Sequence, residues 1–94
     1  MRLILTEPAL NDLDEILGHI QRDNPVAAVE TIDRVLAAID GLTEFPNMGR
    51  AGRVAGTREL VVPGQKYVVA YRIRGDCVEV ARVRHGARRW LRRV

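Results

Sequence analysis

Apolar positions along the chain keep a helical period in its first half and an alternating one in its second. After the short apolar stretch RLILT (residues 2–6), Ala9, Leu10, Leu13, Ile16, Leu17 and Ile20 recur at the i, i+3, i+4, i+7 spacing of an amphipathic helix. Thr6 can cap its start, and Pro8 falls where a helix has no use for an N–H. Asn11, Asp12, Asp14 and Glu15 are expected on its wet face, where early carboxylates complement the helix dipole. Arg22-Asp23-Asn24-Pro25 breaks this helix and starts a second, with Asn24 as cap and Pro25 in the first position. Ala28, Val29, Ile32, Val35, Leu36, Ile39 and Leu42 continue the period. So short a turn makes the two helices an antiparallel hairpin. Ile16, Ile20, Ile32, Val35, Leu36 and Ile39 are expected inside.

The second half reads as strands. Thr57–Val62 is the first, closed by Pro63-Gly64. In Tyr67–Ile73, Tyr67, Val69, Tyr71 and Ile73 alternate onto one face. Arg74-Gly75-Asp76 supplies a tight hairpin turn. Cys77–His85 follows, and its apolar residues Val78, Val80, Ala81 and Val83 change parity between 80 and 81. That break predicts either burial on both faces or a bulge. The element order is βααβββ: an α+β sandwich in which the helix hairpin covers one face of an antiparallel-rich sheet. The other face is left open, and Arg72, Arg82 or Arg84 are placed to line it.

Ninety-four residues suffice for a single domain, 1–94. Four aromatic residues in all make the core aliphatic. The lone Cys77 rules out an internal disulfide, suits a reducing cytoplasm and reads as a small packed residue. No secretory signal is visible, and no apolar run approaches the roughly 20 residues of a membrane span.

Charge alters the picture more than composition does. Residues 1–44 hold three basic and nine acidic residues, a net of −6, whereas residues 45–94 hold twelve and three, a net of +9. A division of this size points to a basic surface that meets a polyanion or an acidic protein. The cations gather in two segments. GRAGRVAGTR (residues 49–58) sets Arg50, Arg53 and Arg58 among small residues, where guanidinium forks can reach outward to phosphate or carboxylate. It lacks the Gly-Lys-Ser/Thr of a phosphate loop. VEVARVRHGARRW (residues 78–90) collects Arg82, Arg84, His85, Arg88, Arg89 and Trp90.

His85 is the candidate for chemistry. Cationic neighbours favour a neutral imidazole, which can take a proton, and Arg84 beside it can stabilise charge developing on a phosphate. Such a pair could cleave RNA, whose 2′-hydroxyl is an internal nucleophile. The competing reading is a histidine that hydrogen-bonds across the end of the sheet. His19 is expected on or beside the wet helix face. The sequence shows no metal-ligand cluster, no Ser-His-Asp or Cys-His pattern, and no cofactor motif.

Four stretches in this order carry a resemblance: TEPALNDLDEI, FPNMGRAGRVAGTRELVVP, YVVAYRI and VEVARVRHGARRW. The chain resembles the RelE/ParE superfamily of bacterial type II toxin–antitoxin toxins over nearly its whole length. The resemblance implies a βααβββ toxin that inhibits growth until a cognate antitoxin wraps and silences it. RelE-like and YoeB-like members are ribosome-dependent mRNA endonucleases; ParE-like members poison DNA gyrase. The RelE-like ribonucleases carry lysines on the strand matching residues 57–62 and an arginine just after the tyrosine that matches Tyr67. Here those positions are Glu59, Val61 and Val68. YoeB-like members have a histidine matching His85 and then a tyrosine, where this chain has Gly86. The resemblance therefore leans to the gyrase-poisoning class. Arg50, Arg53, Arg58, Arg72, Arg82, Arg88, Arg89 and Trp90 then form the target-binding set, and His85 with Arg84 carries the ribonuclease alternative. A third class is a non-toxic nucleic-acid-binding module; for that the chain has few stacking rings, namely Tyr67, Tyr71 and Trp90.

Overall fold

The computed structural model describes residues 1–86 and contains β1 (Arg2–Leu5), α1 (Glu7–Gln21), α2 (Pro25–Gly41), β2 (Arg50–Ala51), β3 (Arg58–Val61), β4 (Tyr67–Arg74) and β5 (Cys77–His85). The strands form one sheet in the order β1-β5-β4-β3-β2. β1 runs parallel to β5, and every other pair is antiparallel. The expected α+β arrangement is therefore present, with one strand more than the pattern predicts. β2 is only two residues long, too short to leave a period in the sequence.

Both helices begin on their caps. The Asn24 side chain accepts from the Ala27 N–H at 3.0 Å, with Pro25 as the first residue of α2. Thr6 Oγ1 accepts from the Ala9 N–H at 3.3 Å and also faces the carbonyls of Val80 and Ala81, at 2.9 and 3.1 Å. One threonine thus starts α1 and ties it to β5.

The core lies between the hairpin and the sheet. From α2 it takes Val35, Ile39 and, just past the helix end, Leu42; from the sheet, Leu60, Val62, Val69, Tyr71, Val78, Val80 and Val83. The inward line of α2 is Ala28, Thr31, Val35 and Ile39. Leu36, expected inside, is 40% exposed, and Ile16, Ile20 and Ile32 are half-buried. The apolar arc of α2 is wider than its contact with the sheet, so its outer edge stays wet. Asp12 corrects the wet-face expectation in the other direction, because it is buried.

The parity break in β5 is a bulge. Ala70 pairs with Arg82 and Tyr71 with Val80, so Ala81 is the extra residue. The bulge lets Val78, Val80 and Val83 all face the helices. Tyr71 is fully buried, and its hydroxyl donates to the Pro46 carbonyl at 2.7 Å and accepts from the Gly49 N–H at 2.9 Å. A Cβ on Gly49 would fall 2.7 Å from that oxygen, which explains the glycine. Among the described residues, no helix is long and apolar enough to cross a membrane.

Candidate functional site

The arginines fall into three environments. On the sheet face away from the helices, register aligns Arg50, Glu59, Ala70 and Arg82 in a row across β2, β3, β4 and β5. Val61, Val68 and Arg84 make a second row, and Arg72 with Glu79 and Ile4 a third. Nothing in the described chain covers this face, yet Glu59, Val68 and Ala70 are buried on it.

Glu59 organises the first basic segment. Its Oε2 accepts from the Arg53 N–H at 3.1 Å, and its Oε1 lies 3.7 Å from Arg50 Nη2. A buried carboxylate so placed pins the turn after β2 and draws β2 onto the sheet edge. Arg58 corrects the expectation of an outward fork. It points to the helix side, where Nη1 donates to the Gly49 carbonyl at 2.7 Å and approaches that of Asn47 at 3.4 Å. It braces the loop from α2 to β2. Arg50 and Arg53 remain exposed. Arg72 and Arg74 share Glu79 at 3.6 and 3.7 Å, loose contacts beyond hydrogen-bonding distance.

Arg82 is bound more tightly. Its Nε and Nη2 meet Asp12 Oδ2 and Oδ1 at 2.8 and 2.9 Å, and the Val83 N–H donates to Oδ2 at 2.9 Å. β1 pairs with β5 only as far as Leu5 with Val80, so β5 beyond that point has an edge without a strand. Thr6 and Asp12 of the passing chain satisfy that edge instead. Burial raises the Asp12 carboxyl, but the hydrogen bonds from Arg82 and Val83 and the charges of Arg82 and Arg84 outweigh it and hold the group below the usual carboxylate range. The Arg82 guanidinium is held further toward its charged form, chiefly by the hydrogen bond to Asp12. Arg82, expected to meet a target, thus fastens α1 to β5 and keeps part of its side chain exposed.

At this unpaired edge lies a cavity of about 550 Å³, lined by Asp12, Glu15, Ile16, His19 and Arg22 from the α1 side and by Tyr67, Arg82, Val83, Arg84 and His85 from the sheet. His85 pairs in register with Tyr67, and the rings meet edge to face at 5.5 Å. Tyr67 is in phase with Val69 and Tyr71, so His85 belongs to the helix side of the sheet. His85 and Arg84 do come together at the cavity. Arg50 and Arg72 lie elsewhere on the sheet, and Arg53 lies in the turn after β2. Arg88, Arg89 and Trp90 lie outside the described residues. No group of three or more His, Cys, Asp or Glu able to hold a metal occurs among the described residues. Cys77 is buried, and Arg2 Nη2 approaches its Sγ at 3.3 Å.

The sequence reading missed Asp12 and Glu59 as organising groups. A signal for Asp12 was present: it stands three residues after Ala9 and four before Ile16, in phase with the inward line.

Fold and site together define a small α+β protein with a basic open sheet face and a polar cavity at the tip of β5. A family model described as "ParE toxin of type II toxin-antitoxin system, parDE" matches residues 3–90. The chain belongs to this family and is the toxin component of a type II toxin–antitoxin module, which implies a cognate antitoxin. It is 43% identical over 89 residues to a toxin designated Y4kP of Sinorhizobium fredii, covering 95% of this chain and 92% of that one. It is 38% identical over 87 residues to toxin RelE2 of Caulobacter vibrioides, covering 93% and 97%. A chain of the chromosomal ParDE system from P. aeruginosa superposes with a TM-score of 0.85 at 25% identity, covering 90% and 95%.

Proposed function

We propose that this toxin is ParE-like: it arrests growth by binding DNA gyrase through its basic surface, without cleaving RNA. The observation that carries this reading is Glu59. Where the ribonuclease resemblance needs a cation, the chain has a buried carboxylate, held by Arg50 and the Arg53 N–H. Val61 and Val68 stand at the other two such positions, paired across the same face. His85 sits on the helix side with Tyr67, away from Arg50, Arg53 and Arg72. Binding needs cations on a common surface and no proton transfer, and register puts Arg50, Arg72 and Arg82 on the open face.

Two observations favour the ribonuclease reading: the meeting of His85 and Arg84 at one cavity, and the 38% identity to a toxin named RelE2. A single pair of assays separates the two. The protein is added to a gyrase supercoiling reaction and to a coupled translation reaction read by primer extension. The expected result is inhibited supercoiling or gyrase-linked DNA breaks, no codon-positioned mRNA cuts, and little change with His85→Gln. A general base contributes typically 10²–10⁴-fold. Cuts that appear with wild type and fall by that factor in His85→Gln would overturn the gyrase reading.

A further inference from the structure

The turn from β2 to β3 is exposed yet held at several points, although none of residues 50–57 belongs to the core. Arg53, Val54, Ala55 and Gly56 are all exposed. The Gly52 N–H donates to the Thr57 carbonyl at 2.8 Å, and the Thr57 N–H donates to the Val54 carbonyl at 3.1 Å. Thr57 Oγ1 donates to the same Val54 carbonyl at 2.6 Å. The Arg53 N–H donates to Glu59 Oε2 at 3.1 Å, and the Glu59 side chain is only 4% exposed. Gly56 closes the turn at φ 82°, a conformation that residues with a side chain rarely adopt.

What the turn presents is two cations and an apolar residue. Arg50 keeps 64% of its side chain exposed, Arg53 is exposed, and Val54 beside it is 53% exposed. Arg58, the third arginine of the segment, is occupied by the Gly49 carbonyl instead. We propose that this turn is the element by which the toxin recognises its target, and that it fits an acidic protein surface. Carboxylates would meet Arg50 and Arg53, and a shallow apolar pocket would take Val54. Glu59 and Gly56 touch nothing of the target in this scheme; they are positioning residues that set the turn. The proposal rests on the gyrase reading for the identity of the target. A turn held before binding loses little freedom on binding, and arginine is among the residues that carry interface energy. A nucleic acid would satisfy the arginines but offer Val54 no pocket, and residues 50–57 carry no ring to stack on a base. A second copy would set arginine against arginine.

The test uses the full toxin, made by cell-free synthesis, and two readouts. One is affinity for purified gyrase; the other is growth arrest at graded expression in a host strain, which presupposes no target. Arg53→Gln with Val54→Ser should raise Kd, and the expression needed for arrest, about tenfold or more while the melting temperature stays near wild type. Gly56→Ala places its methyl in open space and strains only the turn, so it should weaken both readouts without removing a cation. Glu59→Gln removes a negative charge, so charge alone predicts tighter binding to an acidic surface; weaker binding is expected, and it reports the positioning role. Val26→Gln, at a 68% exposed apolar position on α2, should change neither readout. If wild type fails to bind gyrase while the turn variants still lose growth arrest, the gyrase reading falls and the turn stands as the recognition element. Full growth arrest by Arg53→Gln with Val54→Ser overturns the proposal whatever the target is. Tighter binding by Glu59→Gln overturns its positioning role. Binding of wild type to a gyrase-free DNA duplex or to ribosomal RNA that falls with Arg53→Gln and is unchanged with Val54→Ser assigns the turn to a nucleic acid, and overturns the proposal too.

Discussion

Asp12→Ala should cost more than any exposed-helix substitution in the chain, although the residue reads from sequence as surface. The carboxylate accepts three hydrogen bonds, two from Arg82 and one from the Val83 N–H. Removing it leaves the Val83 N–H buried without a partner, which costs about 1–3 kcal/mol. The lost ion pair adds less than the 3–5 kcal/mol of a fully buried pair, because the Arg82 side chain is 38% exposed and can rehydrate. Together these give about 2–3 kcal/mol, or a melting temperature lower by about 10–20 °C in a domain of this size. Asp12→Asn keeps an acceptor for Val83 and should lose about half as much.

The pH dependence gives a second readout. The unfolded Asp12 carboxyl titrates near the ordinary aspartate value of 3.8, and the folded one lower. Between the two values the unfolded chain binds more protons, so this contribution is present above pH 3.8 and is lost as pH falls through the folded value. Urea unfolding of wild type and Asp12→Ala should therefore show a stability gap that is constant near neutrality and narrows below that pH. A gap under about 0.5 kcal/mol at pH 7, or one that persists unchanged at pH 2, would refute the role assigned to Asp12.

Leu36→Ala should cost about 1 kcal/mol or less and Ile39→Ala about 2–5 kcal/mol in urea unfolding, since Leu36 is half-exposed and Ile39 is fully inside. Tyr71→Phe removes the hydroxyl that bridges Pro46 and Gly49, and should cost about 1–3 kcal/mol, with faster amide exchange at Gly49. Glu59→Gln should leave the melting temperature within a few degrees but loosen the turn after β2, seen as raised amide exchange at Arg53. If the open sheet face meets an anionic partner, association with purified antitoxin should slow as salt rises.

Much of the scaffold was legible because it rests on local signals. The caps at Thr6 and Asn24, the Gly75 turn and the two helices all declare themselves within a few residues. The parity break at Ala81 was legible as an alternative, and the structure resolves it as a bulge. What the sequence hid depends on distance. Asp12 is in phase with the inward line, but an acid there makes sense only with Arg82, seventy residues away in the chain. The arc from Ala28 to Ile39 has apolar residues on more than one side, so period alone cannot choose Ala28, Thr31, Val35 and Ile39 over Ile32 and Leu36. Arg50 and Arg58 look alike in sequence, but adjacent strands β2 and β3 turn one to the open face and the other toward the helices. β2 exists because Glu59 and the ladder hold it, and two residues carry no period.

The cavity follows from a mismatch of strand lengths. β1 has four residues and β5 nine, so β5 outruns its parallel neighbour. A free strand edge invites pairing with another chain. Here Thr6 and Asp12 close its first part with polar side chains, and α1 stands off from the remainder to leave the space that Tyr67, Arg84 and His85 line. The same contacts thus hold the helix and shape the site. A loss of toxicity in Asp12 variants would therefore not identify Asp12 as a residue that touches the target. Arg84→Gln and His85→Gln, which leave the ties of Thr6 and Asp12 in place, are the variants whose effect on gyrase or mRNA reports on the cavity itself.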